Sequence, residues 1–304
     1  MSFAKNLKTE LSQIQNSDCC AIACGYGLLL FGRAFSASEI SLLTEHNGVA
    51  SLYCDAVALL SGQVADLQET PGGYYQITVR NAEQRMKILD TLGLDARNPR
   101  KQINLANLQN ECCFGAFLRG VFLACGTITD PNKDYHLEFS VPSVTLCEQF
   151  TRLFDEFDLS PRRTQRNSIP VLYFKSSEEI EDTIGHMGGN ESYMEFIGTK
   201  VIKDIRNRVN RKCNFENANA KRAVISATTQ RDAILQIRDT VGLDNLPKEL
   251  QELAQVRLDN PELSTTALLP LLSESLTKSG LHHRMKRIEQ VAADLKTKTE
   301  KESE

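Results

Sequence analysis

The residues best suited to chemistry lie near the end of the chain, in TKSGLHHRMKRI at 277–288. On a helix that starts after Thr277, Leu281, Met285 and Ile288 fall on one face at helical spacing. Thr277, Lys278, Ser279, His282, His283, Arg284, Lys286 and Arg287 fall on the first turn and the outer face. These are cations and hydrogen-bond donors. Their chemistry is recognition of phosphates and base edges rather than bond making. The free N–H groups of a helix N-terminus favour a phosphate too. His282 and His283 are adjacent and point to different sides of a helix, so they do not chelate one ion together. A short helix from Ser264 to Leu272 and a break at Ser273-Glu274-Ser275 come before it. Over 264–295 this is the pattern of a helix-turn-helix, and also that of a basic helix on the surface of a three-helix bundle. Pro270 inside the first helix removes a hydrogen bond and bends it.

A second set of cations lies upstream. Lys200, Lys203, Arg206, Arg208, Arg211 and Lys212 line a helix that leads out of the N-terminal region, where Val201, Ile205 and Val209 can face protein. Arg162, Arg163 and Arg166 form a third group. Both groups suit phosphates, and both fit a solvated face equally in composition. The net charge of the 304 residues is −4, so local accumulation of cations matters more than the sum. There is no Walker A, GxSxG or HExxH motif. The nine cysteines form no CxxC pair and read as small buried residues of a reduced compartment. Cys19, Cys20 and Cys24 have poor spacing for zinc, and no metal or cofactor is expected. No apolar run approaches the roughly 20 residues of a membrane span. The N-terminus has no signal-like core, so a cytosolic protein is expected.

Two stretches must position these side chains. Phe114–Asp130, FGAFLRGVFLACGTITD, has apolar residues at helical spacing with Gly120 inside the helix and Gly126 at its end. An interior glycine costs roughly 1 kcal/mol relative to alanine, so a close backbone neighbour is expected at Gly120. Cys19–Gly32, CCAIACGYGLLLFG, has the same character, with Asp18 as cap. After the first stretch come a strand at 37–44, a helix at 51–60, a hairpin at 65–80 turning at Pro71-Gly72-Gly73, and a helix from Asn81 to Leu92. After the second come a strand at 135–141, a helix at 144–157, a basic stretch, a strand at 171–175 and a helix from Ser177 to His186. Two copies of one unit explain this order, as would two unrelated α/β segments. From 220 onward only helices are predicted: 223–241, 247–258, 264–272 and 278–295, with a frayed tail at 296–304.

LRGVFLACG at 118–126 resembles a degenerate LAGLIDADG helix, and CGYGLLLFG at 24–32 is a weaker match. In homing endonucleases of that type, the acid just before the final glycine holds the catalytic metal. Here that position is Cys125 in one copy and Phe31 in the other. Together with FLRGVFLACGTITDPNKDYHLEF, LTKSGLHHRMKRI, KNLKTEL and RNRVNRKCNFENANAKR, these stretches resemble the WhiA family of bacterial regulators. The resemblance implies an α+β fold in which two αββαββα repeats form a pseudo-symmetric saddle, followed by an all-α helix-turn-helix domain. It places the LAGLIDADG-like domain at 1–198, with repeats at about 15–95 and 108–190. A basic connector at 199–218 and a helical domain at 219–304 follow.

The function expected is sequence-specific binding of double-stranded DNA without catalysis. By the resemblance, it serves transcriptional control in sporulation or in cell division and chromosome segregation, in the cytoplasm at the nucleoid. Other regulators are allowed as partners; a membrane or a small-molecule substrate is not. Arg284 is expected to read base edges with its neighbours, and Arg208 and Arg211 to hold phosphates. Two rivals stand beside this reading. In one, the N-terminal domain is a protein-interaction platform. In the other, the chain is a metal-dependent endonuclease with acids recruited from elsewhere. Arg162, Arg163 and Arg166 favour DNA on the saddle; Asp66, Glu69 and Glu138 disfavour it.

Overall fold

The computed structural model describes residues 2–97 and 101–302. The chain forms two compact units, divided between Asp204 and Ile205. The first opens with helix α1 (Phe3–Ser12). The first repeat comprises α2 (Asp18–Leu30), β1 (Ala34–Phe35), β2 (Ile40–Thr44), α3 (Asn47–Ser61), β3 (Asp66–Glu69), β4 (Tyr75–Thr78) and α4 (Ala82–Thr91). The second comprises α5 (Glu111–Cys125), β5 (Gly126–Ile128), β6 (Leu137–Ser140), α6 (Val144–Asp155), β7 (Arg162–Arg166), β8 (Ile169–Phe174) and α7 (Ser177–Met187). Each repeat builds an antiparallel four-stranded sheet. The orders β1-β2-β4-β3 and β5-β6-β8-β7 are the same permutation. Shared order in both helices and strands makes the duplication a property of the fold.

The repeats meet where α2 and α5 pack side by side, running in the same direction. A Cβ on Gly120 would collide with the carbonyl of Cys24 and come within 2.9 Å of Leu28 N. One on Gly27 would collide with the carbonyl of Phe117 and come within 3.1 Å of Val121 N. The close neighbour expected at Gly120 is therefore a backbone, and Gly27 supplies the reciprocal approach. Around this contact Phe31, Phe117, Phe139, Phe150 and Phe154 form a buried aromatic cluster, with centroids such as Phe31–Phe150 at 5.1 Å. Gly126 is extended (φ −86°, ψ 150°), so α5 passes straight into β5 instead of ending in a left-handed cap.

Several expectations need correction. β1 and β5 are two and three residues long, too short to show a period of two. The basic stretch at 162–166 is itself a strand, β7. All its residues are exposed because it is a sheet edge, so no apolar alternation marks it. Ser17 and Ser176, not Asp18 and Ser177, occupy the N-cap positions of α2 and α7. The connector and the helix expected at 223–241 are one helix, α8 (Asn190–Thr240), since 190–240 contains no proline and only Gly198 as a weak point. Val201, Ile205 and Val209 are exposed on it rather than facing protein.

The second unit contains the rest of α8, α9 (Lys248–Asp259) and α10 (Lys278–Glu302). Its core is Ile234, Ile237, Leu246, Leu250, Leu253, Leu268, Leu281, Met285, Ile288 and Ala292. The helix expected at 264–272 is a 3₁₀ helix, Thr265–Leu271, capped by Ser264. Pro270 offers no N–H for an α-helical bond there. Residues 296–302 continue α10 rather than fray; 303–304 lie outside the described residues.

The glycine contact gives a paired prediction. Gly120→Ala should lower stability by about 2 kcal/mol, because overpacking against a backbone outweighs the gain in helix propensity. Gly198→Ala, with nothing within 4 Å of its added Cβ, should raise it by about 1 kcal/mol. Urea unfolding curves decide. Equal effects at the two sites would show that the α2–α5 approach is not tight.

Candidate nucleic-acid interface

Helix α10 begins at the Thr277 cap, whose Oγ1 accepts from Gly280 N at 3.1 Å. Leu281, Met285 and Ile288 are buried, which fixes the rotation of the helix. Thr277, Lys278, Ser279, His282, His283, Lys286 and Arg287 are left exposed on its first three turns. Gln230 on α8 donates to Thr265 Oγ1 at 3.1 Å and ties the 3₁₀ helix to the same core. Buried Arg257 donates to the carbonyls of Asn260 (3.1 Å) and Leu263 (2.7 Å), which shapes the loop after α9.

Arg284 stands apart from its neighbours. Its side chain is only 15% exposed and bonds Glu274 at 2.5 Å, with Glu249 at 3.7 Å. Arg287 also pairs with Glu249, at 2.7 Å. One acid comes from α9 and the other from the turn before α10. The guanidinium of Arg284 therefore joins three segments, α9, the turn and α10. Sequence reading missed this because Glu249 and Glu274 lie 35 and 10 residues upstream.

The connector cations divide in the same way. Lys200 pairs with Glu178 (3.1 Å) and Glu181 (3.0 Å). Lys203 donates to the carbonyls of Pro131 (3.0 Å) and Lys133 (2.8 Å) and lies 4.4 Å from the Tyr135 ring centroid. These two anchor the start of α8 on the first unit. Arg206, Arg208, Arg211 and Lys212 are exposed, and no ion pair among the described residues engages them.

On the second sheet, strand alternation puts Arg162 and Arg166 on the outward face with Glu138 and Tyr173. Glu138 is buried and takes Arg166 (2.8 Å) and His136 (2.7 Å), so its charge is met within the sheet. Arg163 lies on the opposite face, 3.8 Å from Glu148. The matching face of the first sheet carries Ser41, Leu43, Gln76, Asp66 and Gln68, with Asp66 paired to Arg80 at 3.6 Å. Glu69 falls on the other face. The two sheets thus present unlike surfaces.

The positions of the nuclease acids hold no carboxylate. Phe31 is 2% exposed, within the aromatic cluster. Cys125 donates to the carbonyl of Val121, and burial pushes its thiol up to about 12, so it stays protonated. Lys8 reaches into the same region, 5.6 Å from the Phe122 ring centroid. Burial lowers its pKa, while Cys125 and Glu45 act in the opposite direction. A thiol, a ring and a lysine do not make the hard-oxygen set that Mg²⁺ needs. Lys5, Lys8 and His46 also line a cleft of about 340 Å³ that sequence reading missed, because α1 shows no cluster of cations.

This arrangement defines a class: a LAGLIDADG-like domain of two repeats followed by a helical unit that carries a helix-turn-helix. Family models agree, with the WhiA LAGLIDADG-like domain matching residues 114–206 and the WhiA C-terminal HTH domain matching 209–292. The chain belongs to the WhiA family. It is 34% identical to a protein of Carboxydothermus hydrogenoformans named "Probable cell division protein WhiA", over 97% of this chain and 98% of that one. A protein of the same name in Ruminiclostridium cellulolyticum is 31% identical over 96% and 97%. The crystal structure of full-length DUF199/WhiA from Thermotoga maritima aligns with a TM-score of 0.54 and 25% identity, covering 97% of this chain and 99% of that one.

Arg284→Ala should lower stability by about 1 kcal/mol by breaking a partly shielded ion-pair set. Lys286→Ala should leave it within about 0.5 kcal/mol. Chemical denaturation followed by helix signal tests this, and a neutral Arg284→Ala would mean the pairs do not hold the recognition helix.

Proposed function

We propose that the protein is a sequence-specific regulator that binds double-stranded DNA and no longer cuts it. The observation that carries this is the outer face of α10. Its core side is fixed by Leu281, Met285 and Ile288, and Lys278, Ser279, His282, His283 and Lys286 are left as exposed donors. In this reading those residues, with the N–H groups after Thr277, meet base edges and adjacent phosphates. Arg287 adds a phosphate contact while paired to Glu249. Arg284 acts by holding α10 against α9 and the turn. Arg206, Arg208, Arg211 and Lys212 supply affinity that does not depend on sequence. Arg162 and Arg166 extend it onto the second sheet. Loss of cutting is supported by Phe31 and Cys125 at the acid positions. The relatives' name supports a role in cell division; control of chromosome segregation or of sporulation, and association with the nucleoid, are part of the same proposal.

A second reading has one observation of its own. The outward face of the first sheet has no unpaired cation, which suits a protein partner better than a phosphate backbone. The two readings combine if the helix-turn-helix binds DNA while the first sheet docks another regulator.

Fluorescence anisotropy of full-length protein on labelled duplexes separates these roles. Arg208→Ala with Arg211→Ala should weaken binding to all duplexes and reduce the slope of log affinity against log salt by about 2. Ser279→Ala with His283→Ala should narrow the gap between preferred and scrambled duplex by about 1–3 kcal/mol. Cutting that requires Mg²⁺ would defeat the non-catalytic reading. Absence of binding to any genomic fragment would leave only the docking role.

A further inference from the structure

At the end of the α2–α5 pair opposite Phe31 and Cys125, three thiols converge. Cys19 and Cys20 sit in the first turn of α2, and Cys112 in the first turn of α5. Although neighbours on a helix point to different sides, Cys19 and Cys20 flank Cys112: the Cys19 and Cys112 sulfurs are 3.8 Å apart, and all three sulfurs lie within 4.8 Å of one another. No disulfide is formed. Cys24, which sequence spacing grouped with Cys19 and Cys20, is buried with its carbonyl against Gly120 and takes no part. Cys112 comes from the other repeat, which is why spacing along the chain could not reveal the group.

We propose that Cys19, Cys20 and Cys112 bind one thiophilic metal ion, Zn²⁺ in the first instance, which staples the two repeats together at the N-terminal ends of their central helices. Two observations support it. First, a tetrahedral zinc with bonds of about 2.3 Å has sulfur–sulfur edges of about 3.8 Å. The Cys19–Cys112 pair already has that separation, and the Cys20 sulfur lies within 4.8 Å of both. Second, both helices start without a side-chain cap: neither Ser17 nor Asn110 bonds the first-turn N–H groups. Two uncapped positive helix ends favour negative charge, which thiolates supply. The ion would bind three thiolates, displace their protons to solvent and leave its fourth position to water. Soft sulfur ligands select Zn²⁺ over Mg²⁺ or Ca²⁺, so the site is chemically unlike the acid pair of a nuclease.

The test uses full-length protein, reduced with a phosphine, freed of metal with a chelator and kept anaerobic. Titration with Co²⁺ should give thiolate-to-cobalt charge transfer in the near ultraviolet and tetrahedral bands in the red, saturating at one ion per chain. Zn²⁺ should bleach both and raise the thermal midpoint. Cys112→Ser and Cys20→Ser should lose the bands and the thermal shift, with unchanged circular dichroism. Cys213→Ser, at an exposed cysteine on α8, should keep them. The proposal is overturned if no saturable band forms, or if the bands survive Cys112→Ser. It is also overturned if metal is refused and peptide mapping finds a Cys19–Cys112 disulfide, which would make the thiols a redox pair.

Discussion

The fold rests on the approach of two backbones. At Gly27 and Gly120 the chain gives up side chains so that α2 and α5 can touch carbonyl to Cα. Glycine in a helix is unfavourable by roughly 1 kcal/mol, and the close contact between repeats is what that cost supports. The short distance between helix axes then draws the flanking aromatic residues together, with Phe31 of one repeat against Phe117 and Phe150 of the other. The second sheet is held through the same layer: Phe139 and Phe174 pack on Phe154 beneath it. The placement of the second sheet, whose edge strand β7 carries Arg162 and Arg166, therefore depends on two positions that bear no functional group.

The second unit works by different means. It is small, and its apolar core is supplemented by polar ties: Gln230 to Thr265, Arg257 to the loop carbonyls, and Arg284 with Arg287 against Glu249 and Glu274. Loops that begin and end a recognition helix expose many backbone groups, and these ties satisfy or fix several of them. Arg284, which the sequence suggests as one of the base readers, is thus engaged in ion pairs that join α10 to α9 and the turn before it. The donors left exposed on α10 are Lys278, Ser279, His282, His283 and Lys286.

Much of this was legible in the residues. The period of the apolar positions located α5, the like character of 19–32 located α2, and the glycine inside α5 announced a close neighbour. The cap at Asn81, which accepts from Glu83 and Gln84, and the inward set Leu281, Met285 and Ile288 could be read the same way. What was not legible depends on distance along the chain or on edges. β7 is a strand of five exposed polar residues, visible only through its pairing with β8. The partners of Lys200, Lys203 and Arg284 come from other segments, and so does the meeting of Cys19 with Cys112. α8 runs unbroken because nothing in 190–240 interrupts it, whereas a change of composition at 220 suggested a boundary.

A duplicated protein is usually constrained in pairs, since what one half changes the other must match. Here the halves touch at their centre through main chain, and main chain has no residue identity to match. The two copies differ accordingly: the position before the glycine that ends each helix holds a ring in one, Phe31, and a thiol in the other, Cys125. One copy developed a cationic sheet and the other a neutral to acidic one. The contact between them is narrow: a change at Gly27 or Gly120, or in Phe31, Phe117 or Phe150, is felt by both halves at once.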